Sequence, residues 1–267
     1  MIDHRVLRPR LRCTDVTQSS LPNQPGLVYC APMAAGPEIY RRIYDNFRAA
    51  ISRYDCGQKC APHNNGEPVC CTTKHAVPIV DKGEWKLLRS RTKLWRPYKP
   101  QDAAGREIVS TLHKDCKAVE CKGARFCERD NRSMSCRTFP FFPYFTRARE
   151  FVGLAYYWTF EDRCWIMSNL QVVDREFIRE FIDAYELLFQ YDEDEKEGLI
   201  EHSAYMRRVF TRWNRIIPLI GRDGGYLAVE PRTHVIRPAR LEEFERHGPY
   251  KDEPPVPATP PISAAAE

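Results

Sequence analysis

The chain has 267 residues, of which 43% are hydrophobic and 29% charged, and a formal net charge of +5. Such a composition suits a soluble globular protein with mass for one core and a small satellite, and its mild charge neither demands nor excludes an acidic partner. No apolar run approaches the roughly 18 residues of a membrane helix and no secretory leader is visible, so a cytoplasmic protein without a membrane partner is expected.

Residues 1–53 read as an irregular segment followed by a helix. Pro9, Pro22, Pro25 and Pro32 punctuate the segment, with Leu27–Tyr29 as a short strand. Pro37 then opens a helix in which Ile39, Tyr40, Ile43, Tyr44, Phe47, Ala50 and Ile51 recur at three- and four-residue steps. It delivers the chain to Cys56. From 54 to 145 apolar periodicity weakens, apart from a helix starting near Asp81 and running through Trp85, Leu87, Leu88 and Leu94. Residues 146–247 complete the core with two strands, 153–160 and 164–167, and a helix capped by Asp174 and striped by Phe177, Ile178, Phe181, Ile182, Tyr185, Leu188 and Phe189. The acidic run Asp192–Glu197 links it to a further helix ending near Ile217, and Gly221–Gly225 turns into a strand at Tyr226–Val229. The tail 248–267 is rich in proline and alanine and is expected to be disordered. The fold class is α+β, with a loop-rich cysteine region packed on helices and a small antiparallel sheet.

Eleven cysteines in a chain without an export signal point to metal rather than disulfides, because a reducing compartment keeps clustered thiols available as ligands. Eight fall in two groups, Cys56-x3-Cys60-x9-Cys70-Cys71 and Cys116-x4-Cys121-x5-Cys127-x8-Cys136. Four sulfurs satisfy tetrahedral zinc or the four irons of a cubane cluster. The spacing lacks the C-x2-C pairs of a zinc ribbon. Adjacent side chains such as those of Cys70 and Cys71 are expected to diverge, which suits a polynuclear centre. A [4Fe–4S] cluster is therefore the leading cofactor and zinc the alternative.

Two motifs carry a family resemblance. Gly66-Glu67-Pro68-Val69-Cys70-Cys71 is followed by Val77-Pro78-Ile79-Val80-Asp81 and the Trp85 helix; Arg132-Ser133-Met134-Ser135-Cys136-Arg137-Thr138-Phe139-Pro140 closes the region. Over residues 54–145 this resembles the YkgJ-type cysteine-cluster proteins, a zinc- or iron-chelating family, although Cys60 and Cys70 lie further apart than in the family and Ser133 stands where it has proline. The resemblance implies a metal held by these cysteines, with the guanidinium of Arg137 offsetting their negative charge. The same motif resembles that of flagellin lysine N-methylases, which implies a possible protein-modifying iron–sulfur enzyme using S-adenosylmethionine. No glycine-rich nucleotide loop after a strand supports a Rossmann-type methyltransferase.

Other signals read more plainly. His63, His75 and His113 lie near the cysteines but are expected to be ordinary loop residues, and Cys13, Cys30 and Cys164 to be small buried ones. Lys82, Lys86, Arg89, Arg91, Lys93, Arg96 and Lys99, interleaved with Trp85 and Trp95, could meet nucleic acid, although a solvated helix face over core tryptophans is the expectation. Phe139–Phe145 could form a dry shell against the sulfurs. The function expected is a metal-binding protein acting in redox, sensing or maturation on an unidentified protein partner or substrate. The alternatives are the modifying enzyme and a zinc-stabilised interaction module.

Overall fold

The computed structural model describes residues 35–254 and 256–258. Cys13, Cys30 and the strand expected at Leu27–Tyr29 lie outside them. Among the described residues the chain forms seven α-helices and two antiparallel sheets, an α+β arrangement as expected.

Pro37 sits in the first turn of α1 (Pro37–Asn46), and Ile39, Tyr40, Ile43 and Tyr44 form its buried face. The helix stops short of the Ile51 that the apolar steps suggested; Phe47, though buried, is already outside it. A short helix, α2 (Cys56–Cys60), precedes β1 (Ile79–Asp81) and α3 (Lys82–Arg91). The carboxylate of Asp81 caps α3 by accepting from the Glu84 amide. Gly83 lets α3 lie close to the chain entering α1, since a Cβ there would collide with the Ala35 carbonyl. Leu94 falls after α3 has ended; there follow β2 (Trp95–Pro97), α4 (Ala103–Ser110) and β3 (Cys116–Cys121). Strand β3 is the centre of a three-stranded sheet ordered β1-β3-β2.

A second short helix, α5 (Met134–Thr138), leads into β4 (Phe141–Phe145), every residue of which is buried, and β5 (Phe151–Tyr156). The second strand expected at 164–167 is instead a 3₁₀ turn, Trp165–Ser168, because the segment buries all four side chains and leaves no alternation for a half-exposed strand. Helix α6 (Arg175–Phe189) carries the apolar stripe read from the sequence. The acidic run is not a linker. It forms the first turns of α7 (Glu193–Trp213), with Asp192 accepting from the Glu195 amide and three acidic residues favoured by the helix dipole. Ile217 begins a strand rather than ending a helix: β6 (Ile217–Gly221) joins β7 (Tyr226–Val229) and β8 (Ile236–Pro238) in a sheet ordered β4-β5-β6-β7-β8.

Residues 54–145 are not a separate body. One continuous apolar core joins Cys60, Val69, Leu87 and Met134 to Phe177, Phe181 and Phe210. Order also continues past Gly248, against expectation. Gly248–Tyr250 forms a single turn, Tyr250 is fully buried, and its hydroxyl donates to the Arg163 carbonyl at 3.0 Å. No helix among the described residues is long and apolar enough to cross a membrane.

Candidate functional site

Four separate stretches of chain bring cysteines to one cavity of about 660 Å³. The first is α2. Asp55 caps it by accepting from the Gln58 amide, and Cys56 and Cys60, four residues apart, share a face. The second is the 3₁₀ turn Val69–Cys71, anchored by the buried Val69. This turn corrects the expectation that Cys70 and Cys71 diverge: their sulfurs stand 3.9 Å apart, because the turn replaces the extended backbone that would splay adjacent side chains.

The third stretch runs from the end of β3 to α5. The Gly123 amide donates to the Cys121 sulfur at 3.3 Å; Cys127 is exposed. Ser133, the residue that departs from the family pattern, caps α5 by accepting from the Cys136 amide. Met134 is buried, its amide donating to Glu84 Oε1 at 2.5 Å, and the Ser135 hydroxyl donates to the Ile79 carbonyl at 2.8 Å. These bonds set Cys136 against α3 and β1. The fourth stretch brings Cys164, which lines the same cavity although no clustered spacing contains it.

The cavity wall thus holds Cys56, Cys60, Cys70, Cys71, Cys127, Cys136 and Cys164, with Phe139, Pro140, Trp165 and Ile166 among its apolar parts. Cys121 is not part of this wall, but Cys71 and Cys127 act electrostatically on its sulfur. Cys116 is elsewhere. Strand β3 separates it from Cys121 by about 16 Å at 3.3 Å per residue, and the odd spacing puts the two on opposite faces. Cys116 and Ala118 pack on a small second core with Val77, Tyr98 and Ile108, whereas Val119 and Cys121 face the main one. The register of β3 therefore keeps Cys116 apart from Cys121 and the main core.

Burial dominates the chemistry of these thiols. It pushes Cys56 up to about 11 and Cys136 up to about 12, and raises Cys60, Cys121 and Cys127. Cys71 is the exception: its thiolate accepts from the Cys70 thiol and is lowered, while Cys70 is raised. The guanidinium of Arg132 opposes the rise at Cys56, Cys127 and Cys136 and helps lower Cys71. Arg132, not Arg137, is the offsetting charge. Arg137 lies on the cavity wall, but its guanidinium donates to the carbonyls of Phe47, Asp130 and Arg132 and stacks 4.3 Å from the centroid of Tyr44. It fastens α5 to α1.

Among the described residues no group of three or more His, Cys, Asp or Glu side chains stands close enough to hold a metal ion as a set. Tetrahedral zinc at a Zn–S distance of 2.3 Å requires sulfurs about 3.8 Å apart. Cys70 and Cys71 meet that separation, while the remaining thiols are spread around the cavity. A polynuclear centre, whose thiolates bind different metal atoms, takes a wider ring. The donor set, soft sulfurs of which Cys71 alone is eased towards the thiolate while burial holds its neighbours protonated until a cation arrives, suits such a group.

None of the three histidines lines the cavity. His63 packs on Tyr250, and His75 bridges Asn64 and Arg163. The basic aromatic stretch is broken up: Trp95 is buried, and Lys82, Arg91 and Arg96 are paired with Asp115, Asp45 and Glu120. Arg132 and Cys164 are the site residues whose roles the sequence did not reveal. Arg132 stood in the closing motif and carried a signal; Cys164, 28 residues beyond Cys136, carried none. Comparison with protein-family models, with curated proteins and with solved structures found no match.

Proposed function

We propose that this chain is an iron–sulfur protein, holding a [4Fe–4S] cluster in the cysteine cavity and serving redox, sensing or maturation. The observation that carries the reading is the convergence of seven thiols, from stretches more than a hundred residues apart, on one cavity. The resemblance to the YkgJ-type proteins points the same way. Cys71 would be the central ligand, with its partners drawn from Cys56, Cys60, Cys70, Cys121, Cys127 and Cys136, on all of which it acts electrostatically. When bound, a cluster supplies reversible one-electron chemistry. Arg132 offsets the charge of the thiolates, Phe139, Pro140 and Trp165 keep water from them, and Glu84 with Ser133 fixes the helix that presents Cys136.

A catalytic use is the second reading, favoured by the reach of the cavity past the sulfurs to Ser52, Arg53, Tyr54 and Gln58, which leaves space for a small substrate. Reconstitution tests the first. Reduced protein supplied with ferrous iron and sulfide without oxygen should develop a broad visible charge-transfer band, and Cys71→Ser should abolish it. Wild-type protein that stays colourless would refute the reading.

A further inference from the structure

Ser203, Arg207 and Thr211 stand at successive turns on one face of α7 and fasten it to two parts of the large sheet. Strand β4 is an edge strand, and α7 supplies partners for its last residue. The Phe145 amide donates to the Ser203 hydroxyl at 3.0 Å, and the Phe145 carbonyl accepts from Arg207 Nη1 at 2.5 Å. The same nitrogen donates to the Tyr144 hydroxyl at 3.2 Å. One turn further on, the Thr211 hydroxyl donates to the Pro231 carbonyl, which draws the β7–β8 turn carrying His234 against this face.

The docking leaves positive charge unanswered. Arg207 is only 7% exposed, and a buried guanidinium ordinarily faces a carboxylate. Yet neither Arg207 nor Arg147, two residues beyond β4, has an ion-pair partner among the described residues. Only Nη1 of Arg207 is engaged. Its Nε and Nη2, an edge that can grip an oxyanion with two parallel bonds, make no hydrogen bond among the described residues. His234 Nδ1 is buried as well and has no hydrogen-bond partner there. The charged groups that act on the Tyr144 hydroxyl and on the His234 imidazole are Arg147 and Arg207, with no carboxylate among them. Burial and then these two guanidiniums hold His234 below the usual histidine range, so a neutral ring stands ready to donate from Nδ1.

We infer that Arg147, Arg207 and His234 form an anion site that takes the phosphate group of a small phosphate monoester. Its donors come from three separate elements, the β4–β5 connection, α7 and the β7–β8 turn, which suits tetrahedral oxygens better than a flat carboxylate met by one fork. Two guanidiniums match the charge of about −2 that a monoester carries near neutral pH. Clamping β4 to α7 needs Nη1 of Arg207 alone and gives Arg147 and His234 nothing to do. The site shares no residue with the lining of the cysteine cavity, so it stands apart from the metal-binding reading.

Phenyl phosphate is the probe, titrated into the ¹⁵N-labelled full chain at constant ionic strength. The imidazole resonances of His234 should shift saturably, and the melting temperature should rise with phenyl phosphate but not with chloride. Arg147→Gln and His234→Gly should each weaken binding on the order of tenfold, since each removes one donor to the anion. Arg147 is exposed and has no partner to lose, and glycine suits the φ of 60° at His234, so both variants should fold. Inorganic phosphate should bind as the monoester does. Dimethyl phosphate, a monoanion like the nucleic-acid backbone, should bind about tenfold more weakly. His234 resonances that stay still, or that shift equally in chloride, overturn the inference. So does a folded Arg147→Gln that binds as wild type, or dimethyl phosphate that binds as tightly as phenyl phosphate.

Discussion

Replacing Glu84 with alanine should damage both the fold and the site, because this buried carboxylate ties three helices together. Its Oε1 accepts from the Tyr44 hydroxyl of α1 at 2.8 Å and from the Met134 amide of α5 at 2.5 Å, and both donors are buried. Leaving a buried donor unsatisfied costs about 1–3 kcal/mol, so the two together come to about 2–6 kcal/mol. A typical domain has about 5–15 kcal/mol of stability in all, so Glu84→Ala should be marginal. Glutamine keeps an oxygen that can accept from both donors, and Glu84→Gln should lose less than half as much. Urea unfolding of the two variants and the wild type measures this directly. Met134 opens the helix that presents Cys136, so the alanine variant should also bind less metal than the glutamine variant. An alanine variant within about 0.5 kcal/mol of wild type, or a glutamine variant equally damaged, would refute the reasoning.

The pH dependence should carry a signature of His202, whose imidazole is boxed by Phe142, Tyr157 and Trp158 and whose Nε2 finds no hydrogen-bond partner among the described residues. Burial holds it down to about 4 from an ordinary 6.5, so the unfolded chain takes up a proton that the native one refuses. Stability should therefore fall as pH drops from 6.5 towards 4, by about 3 kcal/mol at most, with no contribution above 6.5. His202→Phe should flatten that loss in urea unfolding at pH 7 and 4.5; an unchanged slope would show that the group is not held neutral. Truncation should separate two parts of the tail. Ending the chain at residue 247 removes the buried Tyr250 and should cost about 3–5 kcal/mol, read as a lowered melting temperature, whereas removing 259–267 alone should change little. Cys116→Ser should keep its full metal content by elemental analysis while Cys71→Ser loses it, and equal losses would place Cys116 in the site after all.

Helix α6 was legible in the sequence because Phe177, Ile178, Phe181, Ile182, Tyr185 and Leu188 repeat at the helical period over fifteen residues, and Asp174 announces its start. Short elements were not. Trp165–Ser168 and Ile217–Gly221 are apolar throughout, and a fully buried run has no period to distinguish turn, strand and helix. Tyr250 sits in a stretch whose composition reads as tail, yet one aromatic ring with a place in the core orders the residues around it. At the site, six of the eight cysteines gathered by spacing line one cavity, but spacing could not register a strand. Cys116 and Cys121 belong together on a loop and apart on β3, and only the alternation of Ala118 and Val119 between two cores tells which holds. Cys164 required tertiary structure, since no local rule links it to α2.

The central claim is that these thiols hold iron and sulfide. Protein purified without oxygen should be analysed for iron, zinc and acid-labile sulfide against protein concentration. The account predicts iron and sulfide in equal amounts, near four of each per chain for a single cubane. Stoichiometric zinc without sulfide would contradict the iron–sulfur assignment and leave a metal site standing, whereas no metal, with the cavity cysteines joined in disulfides, would contradict the account as a whole.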